Sequence, residues 1–249
     1  IITLSPIMRE LLIERGADPA KVRVVLNWTD ETLFRPVPAT DEARRALGYR
    51  GRRVVMHAGN IGPFQNVAVA VRAAAAIEQV APLDLVLVGG GLEEESTRQL
   101  AAQLGAGNVR FLGRREPTEM APLYAAADFQ LVSLRDLPGL RGTIPSKLQA
   151  ALACGSPVVA AVGGDCARLV ERHRVGVAVP PDDWAALADG FARVAHMPAE
   201  EVAAMGQRAR ESYETLMSCR AGIDALEATL AEVAGAPVPR VPVEEALAR

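Results

Sequence analysis

Short apolar runs, too brief for helices, alternate with helical patterns along most of this chain, and that alternation restricts its fold more than any other feature. The runs Val54–Ala58, Leu85–Val88, Val109–Leu112, Phe129–Val132, Val158–Ala161 and Gly176–Val179 read as buried strands. Between them lie helical patterns at Val67–Val80, Leu92–Leu104, Thr118–Ala127 and Ser146–Cys154, and a short helix through Val170 follows Gly163-Gly164. Pro180-Pro181-Asp182-Asp183 caps a helix that starts near Trp184, and Glu200–Met217 and Arg220–Val233 form a helical tail. Ala236–Val243 carries prolines that end the compact region. Strands separated by helices of this length predict a doubly wound α/β domain, a parallel sheet with helices on both faces. Ligands of such sheets bind at the carboxyl ends of the strands, so the loops there should carry function. Upstream, Ser5-Pro6 opens a helix through Met8, Leu11 and Leu12 to Gly16, and Val22–Leu26 is a short strand. Asn27–Thr40 reads as a surface linker with a domain boundary near Pro38.

Charge and composition exclude several classes of function. Of 249 residues half are apolar, and 27 Lys and Arg face 30 Asp and Glu for a net charge of −3, which argues against electrostatic capture of nucleic acid. The most apolar stretch, Val67–Ile77, is interrupted by Arg72 and falls short of the ~18 uninterrupted apolar residues of a membrane span. Cys154, Cys166 and Cys219 form no paired framework and no CxxC knuckle, so the expectation is a reducing cytoplasm without disulfides. His57, His173 and His196 are far apart, with no HExxH and no acidic calcium loop, so no metal site is expected. The chain begins at Ile1 with a strand already entering a helix and shows no signal-peptide pattern, so the expectation is folded protein upstream.

Three loops stand where ligands of such a sheet bind. Gly59-Asn60-Ile61-Gly62 links a strand to a helix, either as an ordinary turn that needs glycine or as a backbone-amide cradle for phosphate. Gly89-Gly90-Gly91 admits the same two readings. Neither is a GxGxxG fingerprint or a Walker loop. Gly142-Thr143-Ile144-Pro145-Ser146-Lys147 is the most informative, because a lysine in the first turn of a helix opposes the macrodipole and asks for an anion nearby. A diphosphate would supply it, and the competing reading is a solvated surface lysine. Cys154, at a helix stop before a buried strand, reads as a packed small residue rather than a nucleophile.

A series of motifs, in order and spacing, resembles the carboxyl-terminal half of family-4 glycosyltransferases. They are Asn27-Trp28-Thr29-Asp30 with Phe34 and Pro36, Leu87-Val88-Gly89, Asn108 to Gly113, Ala125-Ala126-Ala127-Asp128, Ala153 to Val159, Gly163-Gly164 and Val179 to Asp182. Gly59-Asn60-Ile61-Gly62 and Pro145-Ser146-Lys147 further resemble the Pro-Ser-Lys branch of surface polysaccharide enzymes. The resemblance implies one Rossmann-like half of a GT-B architecture, with the other half holding the acceptor. Residues 1–38 would then end the acceptor domain and form the linker, 39–217 would bind the nucleotide sugar, and 218–249 would be a C-terminal helix and tail. It implies a retaining transfer with no cofactor and no metal, a UDP-sugar donor, and a sugar or lipid-linked acceptor, in the cytoplasm or peripherally at the inner membrane face through the missing half. Strand end Leu112-Gly113-Arg114 would read the base, with Arg114 either stacking on it or lying on the surface. Gly59, Asn60, Gly62, Gln65, Gly89, Gly90, Thr143, Ile144, Pro145 and Ser146 complete the implied donor site, with Lys147 stabilising the leaving diphosphate.

The departures weigh against the matches. Asn60 and Gln65 stand where the common family has Arg and Lys, and Gly142 and Ala150 stand where it has two glutamates. Loss of the first glutamate suits the Pro-Ser-Lys branch, but loss of the second does not; Gln149, one residue off, would point elsewhere. A non-catalytic nucleotide- or partner-binding relative is therefore the alternative. A nucleotide-sugar epimerase is disfavoured, because no acidic and histidine cluster marks the strand ends. His57 reads as packed or cleft-lining rather than catalytic, and Asp165 as either a sugar contact or a helix N-terminal acid.

Overall fold

The structure, a computed structural model, describes residues 1–235. The proline-containing segment Ala236–Val243 lies outside the described residues. Six strands, β3 (Arg53–Asn60), β4 (Leu83–Gly90), β5 (Val109–Gly113), β6 (Phe129–Ser133), β7 (Val158–Ala161) and β8 (Gly176–Val179), form one sheet in the order β5-β4-β3-β6-β7-β8. All of its pairings are parallel. Before it, β1 (Ile2–Thr3) and β2 (Arg23–Val24) make a separate parallel pair around helix α1 (Pro6–Glu14). The remaining helices are α2 (Asp41–Ala46), α3 (Val67–Ile77), α4 (Glu94–Gln103), α5 (Met120–Ala126), α6 (Ser146–Ala153), α7 (Gly164–His173), α8 (Trp184–Ala195), α9 (Ala199–Leu216) and α10 (Cys219–Ala234).

Strand period dictates two cores. Val54, Met56 and Ala58 of β3, with Val86 and Val88 of β4, face one apolar cluster with residues of α5, α6, α7 and α9. Val55 and Leu85 with Leu87 face the other, against α3 and α8. Both faces of the sheet are covered, as near-continuous apolar strands require. Each fully buried Val, Leu or Phe in these clusters contributes about 1.5–3 kcal/mol of transfer free energy, so the layered arrangement follows from composition.

Helix starts follow the punctuation expected of them: Ser5 accepts from the Met8 amide, and Asp183 accepts from that of Ala186. The expected helix over Val67–Val80 is shorter, because α3 stops at Ile77. Beyond it the chain turns into β4, and Arg52 Nη2 lies within hydrogen-bond reach of the carbonyls of Glu78, Ala81 and Leu83 in that turn, at 3.5, 3.3 and 3.1 Å. Pro117–Glu119 forms a 3₁₀ turn ahead of α5, so the helix expected from Thr118 begins at Met120.

The segment before Pro38 is tied to the far end of the chain. Glu31 Oε1 accepts from the Tyr213 hydroxyl at 3.1 Å and from the Cys219 amide at 2.8 Å, and the Trp28 ring lies against Gly222 of α10. Arg23 pairs with Glu232 at 2.6 Å. Helix α10 therefore runs back across β2 and the linker. The linker itself is not a plain surface connection: Phe34 packs edge-on against Tyr124, with ring centroids 5.7 Å apart.

Candidate functional site

Strand order reverses between β3 and β6, since β4 and β5 lie on one side of β3 and β6 to β8 on the other. A crevice must open there at the carboxyl ends. A cavity of about 470 Å³ occupies that position, bounded by the ends of β3 and β4, the N-terminus of α6, α5 and the linker. Its size falls within the usual range for small-ligand sites.

The two glycine loops are continuations of the sheet. Gly59 pairs with Gly89 and Asn60 with Gly90, and the Ile61 amide donates to the Gly90 carbonyl at 3.0 Å. Gly89 has φ +127°, and a methyl on it would sit 1.9 Å from the Gly59 carbonyl oxygen. Only glycine permits this approach. On the other side of the crevice, Lys147 lays its Cε and Nζ across Gly59, each 3.1 Å from where a Cβ would stand. The first-turn amides of Ser146 and Lys147 have no acceptor within α6. Helix end, lysine and glycine strand end thus converge on one spot.

Electrostatics favour an anion at that spot. Lys147, Arg114 and Arg115 line the cavity, and among the described residues none of its lining is acidic. Among the described residues the Lys147 ammonium has no hydrogen bond and no ion pair, and burial pushes its pKa down to about 8. That shift corresponds to a cost on the order of 3 kcal/mol for keeping the charge in this partly desolvated place. A bound anion offsets it. Binding of a diphosphate should therefore weaken as pH rises through about 8, by up to about tenfold per unit until the lysine of the complex also deprotonates. Titrations from about pH 7.5 to about pH 9.5 check this, with Lys147→Arg, whose charge persists over that range, expected to flatten the profile.

His57 lies inside β3 with no exposure. Its Nε2 is 3.1 Å from the Asn60 carbonyl oxygen, which can only accept, so Nε2 carries the proton and the buried Nδ1 is left without a partner. Burial, reinforced by Lys147, pushes its pKa down to about 3. It is a packed neutral ring that fixes the Asn60 carbonyl.

Of the residues expected from sequence, Gly59, Asn60, Gly89, Gly90, Arg114, Ser146 and Lys147 meet around the cavity. Gly62, Gln65, Leu112, Gly113, Thr143, Ile144 and Pro145 are not part of its wall. Gln65 accepts from Asn60 Nδ2 at 3.0 Å, so it orients the loop from behind. Leu112 packs toward the core. The Thr143 amide, expected to face phosphate, donates to the Leu140 carbonyl at 2.9 Å and is used up in a turn. Gln149 points away, its Nε2 3.4 Å from the Ile144 carbonyl oxygen. Cys154 is buried, with its thiol pushed up to about 12. Asp165 takes a third role that neither sequence reading named: its Oδ2 accepts from the Ile7 amide of α1 at 2.7 Å, while Arg168 lies 3.5 Å from Oδ1. Gly142 leaves room for the same helix start, since a methyl there would stand 3.3 Å from Ser5 Oγ, Ile7 Cγ2 and Met8 Cγ.

Thr29, Phe34, Met120, Tyr124 and Arg115 also line the cavity and were not expected. Phe34 and Thr29 belong to a motif that had marked the family resemblance, without a place in the expected site. Among the described residues no three His, Cys, Asp or Glu side chains gather into a metal-binding group, and no helix is long and apolar enough to cross a membrane.

Sheet order and a cation-walled crevice at its reversal point define a Rossmann-like domain suited to an anionic ligand. The family model for glycosyl transferases group 1 matches residues 39–212, and the chain belongs to that family. It is similar to a D-inositol 3-phosphate glycosyltransferase of Saccharomonospora viridis, 35% identical over 222 residues that cover 84% of this chain and 50% of the relative. It also resembles a probable glycosyltransferase, WbjE, of Pseudomonas aeruginosa, at 27% identity over 76% of this chain and 47% of the relative. The chain spans about half the length of the curated relatives it matches. In structure it resembles the sucrose-phosphate synthase of Thermosynechococcus elongatus, with TM-score 0.74 and 26% identity over 94% of this chain and 57% of the other. Anabaena HepE in complex with UDP and glucose gives TM-score 0.73 at 23% identity, over 95% and 62% of the two chains, a likeness of fold.

Proposed function

We propose that this chain is the donor-binding part of a glycosyltransferase that moves a sugar from a nucleotide-diphosphate sugar to an acceptor, with a UDP-sugar favoured. The observation that carries the reading is the unpaired, half-buried Lys147 facing Gly59 at the start of α6. Breaking a glycosyl–phosphate bond leaves negative charge on the diphosphate, and a lysine with two helix amides already aimed at that place stabilises it without reorganisation. Arg114 and Arg115 add positive charge at the cavity's other edge. In this reading residues 39–217 bind the donor, 1–38 belong to the end of an acceptor domain and its linker, and 218–249 form the returning helix and tail. The reaction is retaining and the donor sugar a hexose or N-acetylhexosamine of the kind the Pro-Ser-Lys branch transfers. The acceptor is a sugar or a lipid-linked sugar met at the inner face of the cytoplasmic membrane.

Calorimetric titration with UDP and GDP tests the donor assignment. Binding of UDP in the micromolar-to-millimolar range, tighter than GDP, is the expected result; absence of both would remove its support. A non-catalytic relative is the second reading, favoured by Ala150 and Gly142, which put no carboxylate where the resemblance implies two. Donor hydrolysis or transfer by a chain that includes the acceptor domain separates the two.

A further inference from the structure

A second cavity lies at the opposite end of α7 from Gly164. It holds about 430 Å³, within the range of small-ligand sites, and shares no lining residue with the crevice described above. Arg172, His173 and Arg174 reach it from the end of α7, and Arg208, Glu211 and Ser212 from α9. Cations at a helix C-terminus answer the dipole, and Arg208 does so directly, donating its Nε to the Arg174 carbonyl at 2.9 Å. Its two Nη nitrogens stay unpaired among the described residues. The Arg174 guanidinium likewise has no hydrogen bond and no ion pair among them, and Glu211, the only acid of the lining, pairs with neither arginine. Arg174 ends α7 at φ 52°, a left-handed position that glycine fills with less strain, so the turn does not account for an arginine there. Burial and the field of Arg172 hold the His173 imidazole below its ordinary pKa.

Ser212 points the same way. Thr97, Thr215 and Thr229 each turn their hydroxyl back to the carbonyl four residues earlier in their own helix. Ser212, buried at 8% exposure where Thr215 of the same helix is exposed, does not: it lines the cavity, and among the described residues its hydroxyl has no partner. A buried hydroxyl without an acceptor, beside unspent guanidinium donors, calls for a ligand that carries negative charge and several acceptor oxygens. We infer that this cavity binds a phosphate group, held by Arg174 and Arg208 with the Ser212 hydroxyl donating to it, the remaining volume taking part of the molecule that carries the phosphate. The site is independent of the donor crevice, since no residue is shared.

The test is NMR titration of this chain with inorganic phosphate, following the His173 ring signal, which its loss in His173→Gln identifies. A saturable shift is expected, and it should persist in Lys147→Ala, where the donor crevice has lost its lysine. Arg174→Gly should weaken phosphate binding by about tenfold and Ser212→Ala by about threefold, the worth of a charge-assisted and of an ordinary hydrogen bond. Both variants should fold, because glycine suits the left-handed position and Ser212 gives up no hydrogen bond among the described residues; urea unfolding checks this. No saturable shift at His173, a shift indifferent to Arg174→Gly, or one that disappears with Lys147→Ala overturns the inference. Sedimentation with phosphatidylcholine vesicles, with and without phosphatidic acid, then distinguishes the sources of the phosphate. Capture only by vesicles containing phosphatidic acid, reduced in Arg174→Gly, assigns a lipid headgroup; phosphate binding without capture assigns a soluble phosphorylated molecule.

Discussion

Replacing Lys147 with alanine is expected to weaken UDP binding by about 30-fold or more, the largest loss from any single side chain of the cavity. The expectation follows from three features of the residue. It is the only lysine of the lining, it has no partner among the described residues, and its charge is already held in a partly desolvated place. Hydrogen bonds to charged groups contribute about 1.5–3 kcal/mol, and truncation also removes the coulombic attraction at low local dielectric. Stability should move the other way: losing an uncompensated cation removes a cost, so the urea midpoint of Lys147→Ala should be unchanged or raised. Titration calorimetry and urea unfolding on the same preparation measure both. Unaltered UDP affinity in a folded variant would mean that the phosphates lie elsewhere, along Arg114 and Arg115.

Gly89→Ala is expected to produce the other large effect, and on the fold itself. A methyl 1.9 Å from the Gly59 carbonyl oxygen cannot be accommodated by a rotamer change, because the obstructing atom is backbone within a paired strand. The ends of β3 and β4 must separate, and the φ of +127° adds strain for any residue with a Cβ. Together these cost about 2–5 kcal/mol, a large fraction of the stability of a domain this size. Nucleotide affinity should fall as well, since Gly59 is the floor beneath Lys147. Urea unfolding of the variant measures the first and titration the second. A midpoint within experimental error of the unsubstituted chain would show that the strand ends are not held together as described.

The sequence carried the layered fold openly. Alternation of short Val- and Leu-rich runs with helices of about three turns leaves few ways to bury both faces of each strand, while the strand order β5-β4-β3-β6-β7-β8 came only with the structure. Local punctuation was legible at Ser5 and Asp183, whose side chains cap their own helices; Ser146, read as a cap, is instead the first residue of α6, and the N-cap Pro145 has no side chain to accept a hydrogen bond. Lys147 was singled out from sequence for the same reason, because its conflict with the helix dipole is local, and the structure places it in the cavity wall.

What surrounds Lys147 was not local and could not be read. Asp165 meets Ile7 across 158 residues of sequence, and no spacing rule distinguishes that from a helix N-terminal acid serving its own helix. Phe34 and Thr29 belong to a segment that the sequence marked as a linker and a resemblance motif but not as part of a site, yet the return of α10 onto Trp28 and Glu31 holds that linker against the cavity. The Thr143 amide looked available until the turn to Leu140 claimed it. Sequence determined which segments become strands and helices and where a lysine opposes a helix dipole, because periodicity and capping act over one or two turns. Only the tertiary structure decided which side chains wall the crevice and which polar groups remain free there, because burial and hydrogen-bond saturation depend on every segment that packs nearby.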